Sequence, residues 1–174
     1  MLKYVLFYCV AVVTVASGTY VNEMDQPFDF ECPPGSIISY ISSVHDNRYE
    51  GRRWELLCRA AGNTHPCEDS YVNTFDNPVS FKCPGDKVLA GVKSYHDDSY
   101  DDRRFIFQCC AMIGQSQHGC YTTTGDVNAW DGKLTLSVPI RRVLKGAYSH
   151  HDNAYEDRVW KFEICSTRFN NLQH

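Results

Sequence analysis

The sequence has no CxxC pair, no Asn-x-Ser/Thr sequon, no HExxH signature, no GxxxxGK[ST] loop and no GxSxG elbow. Those absences set aside thiolate zinc knuckles, N-linked glycosylation, zincin-type hydrolysis, phosphate cradles and the α/β-hydrolase nucleophile. Excess charge is small: 17 Lys and Arg stand against 21 Asp and Glu, a formal net charge of −4. A chain without a basic bias has no electrostatic claim on nucleic acid, so that partner is not expected. Long hydrophobic runs are confined to the first residues, and no later stretch is apolar enough to span a bilayer. Helical periodicity is scarce too, because Gly, Pro, Asn and Asp interrupt every candidate window.

What is present begins with a leader. Residues 1–18, MLKYVLFYCVAVVTVASG, carry one Lys, an apolar run and small residues at Ala16 and Gly18. That order predicts a secretory signal peptide cleaved after about residue 18, leaving a single domain over 19–174. Cys9 departs with the leader. Eight cysteines remain: Cys32, Cys58, Cys67, Cys83, Cys109, Cys110, Cys120 and Cys165. An even number in a small exported chain implies a disulfide framework in an oxidising, extracellular compartment.

The chain also says one thing three times. SVHDNRYEGRRWELLC (43–58), SYHDDSYDDRRFIFQC (94–109) and SHHDNAYEDRVWKFEIC (149–165) keep His, Asp, Tyr, acid, Arg and aromatic in the same order. Upstream, FECPPGSIISYISS (30–43), FKCPGDKVLAGVKS (81–94) and LSVPIRRVLKGAYS (136–149) align without gaps, with Val138 at the place of Cys32 and Cys83. The repeats lie at 28–58, 79–110 and 134–165, and their histidines are offset by 51 and then 55 residues. Each unit reads as a strand, a Pro or Pro-Gly turn, an alternating strand, an acidic loop and an aromatic strand. The expected fold is all-β, with three small sheets in a pseudo-threefold, prism-like arrangement rather than a β-trefoil or a two-sheet sandwich. Segments 59–78 and 111–133 lack periodicity and are expected to be long surface loops pinned by Cys67 and Cys120.

In the last strand of each unit, Arg52 and Trp54, Arg103 and Phe105, and Arg158 and Trp160 are two residues apart and share a face. That spacing suits a guanidinium stacked on an aromatic ring. Asp102 and Asp157 can accept bidentate hydrogen bonds from an Arg, across the hairpin or from another repeat. Glu50 is the expected substitute in the first unit, where Gly51 replaces the acid. These residues are read as structural. The acidic loops are the candidate ligand-binding positions: His45, Asp46 and Asn47; His96, Asp97 and Asp98; His151, Asp152 and Asn153. They are expected to form three similar exposed sites, because so many polar groups in a core would need partners. Acids, amides and a nearby Tyr suit sugar hydroxyls and the apolar face of a sugar, and linked weak sites gain by multivalency. No catalytic residue and no cofactor are expected. Calcium would suit the oxygen-rich loops, but the EF-hand spacing is missing. Arg52–Arg53, Arg103–Arg104 and Arg141–Arg142 form local basic pairs suited to sulfated glycans.

Three ordered copies of CPPG- and CPGD-like starts, acidic loops and D-R-x-W-type strands, with the adjacent Cys109 and Cys110, resemble the dermatopontin family from Phe28 to Cys165. The resemblance implies a secreted, non-enzymatic extracellular protein. Its invertebrate branch includes lectin-like haemagglutinins that aggregate blood cells, and its vertebrate branch associates with matrix, proteoglycans and integrins. The short N-terminal TYVNEMDQPFDF is similar to the invertebrate branch. The expected function is therefore recognition and adhesion, agglutinating cells through surface glycans or glycosaminoglycans. The alternative is a matrix adhesion protein bridging proteoglycans and collagen; a homo-oligomer is compatible with either. Cys32 and Cys58 bracket the first unit and are expected to pair. Cys109 lies four residues beyond its aromatic, as Cys58 does, and Cys110 five, as Cys165 does; the repeat alone allows Cys83 either partner. The resemblance implies Cys83–Cys110, Cys67–Cys109 and Cys120–Cys165.

Overall fold

A computed structural model describes residues 19–170; the expected signal peptide and Cys9 lie outside the described residues. The strands run β1 (Phe28–Glu31), β2 (Ser36–Asp46), β3 (Gly51–Ala60), β4 (Cys67–Val72), β5 (Val79–Lys82), β6 (Lys87–Asp97), β7 (Asp102–Ala111), β8 (Gln115–Thr122), β9 (Leu134–Ser137), β10 (Arg142–Asp152) and β11 (Asp157–Phe169). No helix occurs among the described residues, so the chain is all-β.

Three sheets form, in the strand orders β1-β6-β7-β4, β5-β10-β11-β8 and β3-β2-β9. The long hairpins β2–β3, β6–β7 and β10–β11 come from single repeats, but the short strand beside each comes from another. Phe28 of the first unit faces Ser94 of the second, Val79 of the second faces Ser149 of the third, and Leu134 of the third returns to Ser43 of the first. No repeat can complete its own sheet, so the three must fold together. Gly91 and Gly146 mark where the borrowed strands cross: a Cβ there would lie 2.9 Å from the Phe30 carbonyl and 2.8 Å from that of Phe81.

The inner faces meet in one core. Trp54, Phe105 and Trp160, one from each unit, pack edge-to-face with centroids 5.0–5.9 Å apart. Each such pair adds about 0.5–1.5 kcal/mol beyond its burial.

Several expectations are corrected. Segments 59–78 and 111–133 are not loops throughout, because β4 pairs with β7 and β8 with β11. Glu68 and Asp69 in β4 and most exposed residues of β8 are polar, which leaves little apolar alternation, and the edges these strands cover would otherwise stand open. The disulfides are Cys32–Cys58, Cys83–Cys109, Cys67–Cys110 and Cys120–Cys165. The partners of Cys109 and Cys110 are thus exchanged relative to the family-implied pairing. Adjacent strand residues face opposite ways. Cys109 joins Cys83 in the main core, while Cys110 lies directly across from Cys67 in the β4–β7 register. Cys32–Cys58 and Cys83–Cys109 share a separation of 26 residues, as the spacing of four after each aromatic would have it.

Candidate functional site

The residues at one end of the core are placed by a motif just upstream of each repeat. Asn22, Asn73 and Asn128 accept the N–H of Trp54, Phe105 and Trp160 and donate to the carbonyls of Arg52, Arg103 and Arg158. Each amide thus acts as a short substitute strand along the edge of the aromatic strand. Three residues later stand Asp25, Asp76 and Asp131, all at positive φ of 55–61°, a conformation that Asp tolerates better than most residues. Asn-x-x-Asp recurs at the 51- and 55-residue offsets of the histidines. The signal is legible in the sequence, and each repeat extends upstream of the bounds 28–58, 79–110 and 134–165 to take it in.

Above the aromatic trio lies a relay of arginines. Arg52 of the first unit grips Asp157 of the third through Nε and Nη2 at 2.6 and 2.7 Å. Arg158 grips Asp102 of the second in the same way, both contacts at 2.6 Å. The acceptor therefore comes from another repeat. The outer oxygens of Asp157 and Asp102 also accept the N–H of Asp131 and Asp76. Arg103 should find an acid at position 51 but meets Gly51. Asp25 fills the gap: a Cβ on Gly51 would lie 2.0 Å from its Oδ1. Glu50, the expected substitute, is not the partner. The replacement is imperfect, since Arg103 donates to the Gln26 carbonyl instead and its Nε stays unpartnered. Burial pulls Arg103 down to about 10, against the charges of Asp25 and Asp102. Burial also raises Asp25, with His96 and Arg103 opposing it. The expected Arg–aromatic stacks within each unit are not among the cation–π contacts of the described residues: Arg52 and Arg158 turn sideways to these acids, and Arg103 lies over Phe28, from another unit, 6.0 Å from its ring centre.

The loop triplets divide. The side chains of His45, His96 and His151 are only 1–2% exposed, which corrects the expectation of exposed histidines. They line one small cavity together with Glu50, Asp101 and Glu156. Asp46, Asp97 and Asp152 stay in the turns, accepting the N–H of Arg48, Ser99 and Ala154 at 2.8–2.9 Å. Asn47, Asp98 and Asn153 are exposed beside Tyr49, Tyr100 and Tyr155, which are 45–48% exposed. Tyr100 stacks on Phe75 with centroids 4.7 Å apart, and Tyr155 on Trp130 at 5.1 Å with rings parallel to 1°. Met24 stands at the matching place in the first unit, where the Arg48 guanidinium lies 5.4 Å from the Tyr49 ring centre. Of the three basic pairs, Arg52–Arg53 and Arg103–Arg104 are split, one member buried and the other half-buried.

Residues 22–169 match the family described as Dermatopontin. The chain belongs to the dermatopontin family. It is 48% identical over 147 residues to a dermatopontin of Biomphalaria glabrata, covering 84% of this chain and 99% of that one. It is 40% identical over 151 residues to the hemagglutinin/amebocyte aggregation factor of Limulus polyphemus, covering 86% and 88%. Millepora cytotoxin-1 of Millepora dichotoma is 37% identical over 147 residues, covering 83% and 65%. No solved structure matches the chain. The family span opens on Asn22, so it takes in the first Asn-x-x-Asp element as well as the repeats.

In this dermatopontin-family chain the acidic mouth of the cavity carries a cost. Glu50, Asp101 and Glu156 sit at positive φ of 42–47°. Burial raises Glu156, and Asp101, Glu50 and Asp76 push it further up against the opposing His151. A carboxyl raised on folding favours the fold below its unfolded value of 4.5, and loses that contribution as pH rises through its folded value. Glu156→Gln is therefore expected to raise the melting temperature at pH 7, with the gain shrinking towards pH 4. Thermal melts of both proteins across that range check it; a gain that persists unchanged in acid contradicts it.

Proposed function

We propose that this chain is a secreted, non-enzymatic recognition protein that agglutinates cells by binding surface glycans at three equivalent loops. The three sheets then surround a pseudo-threefold axis, and the loops crown one end of it. The observation that carries the reading is the exposed tyrosine in each loop, which in two loops is backed by a second ring. A tyrosine held on one face by Phe75 or Trp130 offers its other face at little entropic cost. The adjoining Asn47, Asp98 and Asn153 supply the amide and carboxylate groups that sugar hydroxyls pair with. Similarity to a hemagglutinin and aggregation factor points the same way. One sugar on one tyrosine is a weak contact, and rigid linkage of three makes a cell-scale grip through effective concentration. Bridging of proteoglycans and collagen has less support, because two of the three basic pairs are split.

The test is erythrocyte agglutination by Tyr49→Ala/Tyr100→Ala/Tyr155→Ala, secreted with its native disulfides. The titre is expected to fall by about tenfold or more, and a single replacement to cost much less, as multivalency requires. Soluble sugars should inhibit the parent protein and leave the triple variant's residual activity unaffected. An unchanged titre in the folded triple variant removes the loops from the mechanism.

A further inference from the structure

We propose that the free edge of β3 is an interface between two copies of this chain, paired antiparallel about a twofold axis at Leu57. In the other two sheets the aromatic strand of the hairpin is flanked, β7 by β4 and β11 by β8, but β3 is the end strand of its sheet. The cysteines that pin those flanking strands, Cys110 to Cys67 and Cys165 to Cys120, have Arg59 at the matching place in the first unit. Along β3 the edge is closed at its start, where Asn22 takes the N–H of Trp54 and the N–H of Val21 meets the Trp54 carbonyl. Leu56 and Cys58 direct their backbone groups the same way, as alternate residues of a strand do. Their counterparts Phe107 and Cys109 face Ser70 and Glu68 of β4, but no backbone hydrogen bond from the described residues reaches Leu56 or Cys58 on that side. Cys58 is accordingly partly exposed, while Cys109 and Ile164 at the same place are 0% and 3% exposed.

An open edge is a template for another strand, and this one is complementary to itself. With Leu57 facing Leu57, Leu56 falls opposite Cys58 of the second copy, and the free N–H and carbonyl groups of both residues are answered in both copies. The same register sets Glu55 opposite Arg59 of the second copy. Glu55 has no cation of its own among the described residues, since the neighbouring Arg53 turns to Glu23, and Arg59 donates to the carbonyls of Val138 and Arg142 rather than to an acid. Leu57 is 49% exposed, where the other units have Gln108 and Glu163. On the axis the two leucines meet as a close, non-hydrogen-bonded pair. Other free edges invite pairing less: β1, β5 and β9 have four residues each, and β4 carries Glu68 and Asp69.

The direction of the pairing matters for function. β3 runs from the turn at residues 47–50 to the far end of the hairpin, and the three turns gather at the mouth of one cavity. Antiparallel pairing thus points the loops of one copy away from those of the other. A monomer with all its loops at one end holds one surface, whereas the pair holds two and bridges cells. That consequence rests on the loop reading of function; the pairing itself does not.

The experiment is sedimentation velocity on the mature protein over a range of concentrations, beside substitutions at the exposed position 57. The parent is expected to shift from monomer to dimer as concentration rises. Leu57→Lys sets like charges face to face on the axis and should stay monomeric with an unchanged melting temperature. It should bind soluble sugar as the parent does and lose about tenfold or more of the agglutination titre. Leu57→Cys should form a disulfide-linked dimer on non-reducing gels, because facing Cα atoms of a non-hydrogen-bonded pair lie about 4.5 Å apart; the exposed Ile140→Cys should not. A parent that is monomeric throughout, a Leu57→Lys that dimerises like the parent, or a Leu57→Cys no more linked than Ile140→Cys overturns the pairing. A monomeric Leu57→Lys with full titre overturns the bridging role. If the dimer forms in this register yet agglutinates nothing, the pairing stands and the loop reading falls.

Discussion

Arg158→Ala is expected to cost about 3–5 kcal/mol, because it removes one partner of a buried ion pair and leaves the other uncompensated. For a domain of this size that is a fall of roughly 6–20 °C in melting temperature. Arg158 and Asp102 are 4% and 3% exposed, and among the described residues Arg158 is the one cation paired with Asp102. The loss also spreads, since the same carboxylate holds the Asp76 N–H and Arg158 Nη2 holds the Asn77 carbonyl. Secreted yield should drop in parallel. Much of this cost comes from the orphaned charge, so Arg158→Met/Asp102→Leu should recover a large part of it. Circular-dichroism melts of the two variants decide the matter. A single variant melting within about 2 °C of the parent would show that the pair contributes almost nothing.

The second large effect concerns the one unit in which the relay is improvised. Asp25→Ala should destabilise by about 1–3 kcal/mol, since Arg103 loses the carboxylate charge that most offsets its burial. Gly51→Asp should also destabilise on its own, because the new Cβ falls 2.0 Å from Asp25 Oδ1. Combined, the two changes vacate the space and supply the acid where the other repeats have it. The double variant should then be more stable than the sum of the singles by about 1–3 kcal/mol, through a restored Arg103 clamp. Simple additivity in this cycle would mean that Asp25 is not standing in for the missing residue.

Much of the architecture is legible in the order of residues. The three copies, the strand–turn–strand reading of each, the all-β class and the disulfide-rich character all follow from periodicity and cysteine number. Cys32–Cys58 follows as well, because both residues flank one hairpin. The exchange at Cys109 and Cys110 shows a limit of another kind. The spacing after the aromatic already matched Cys109 to Cys58, and the pairing implied by resemblance overrode it. The edge strands β4 and β8 were missed because a strand on a sheet edge with a polar outer face leaves little alternation to detect.

The candidate site divides along the same line. Arg, acid, His and Tyr could be picked out as a set from recurrence alone, and the Asn-x-x-Asp segments could have joined them. Burial of the histidines could not be read, because a His-Asp-Asn triplet at a hairpin end is equally good turn chemistry whichever way the ring points. By itself, then, the sequence determined the repeat, the strand pattern and the side chains that each repeat contributes. Only the tertiary structure decided which repeat each of them serves. Identical motifs have identical local preferences, so nothing local distinguishes a partner in the same unit from one in the next. The choice is made where β1, β5 and β9 cross to neighbouring hairpins, which places Asp157 against Arg52, Asp102 against Arg158 and Asp25 in the space above Gly51.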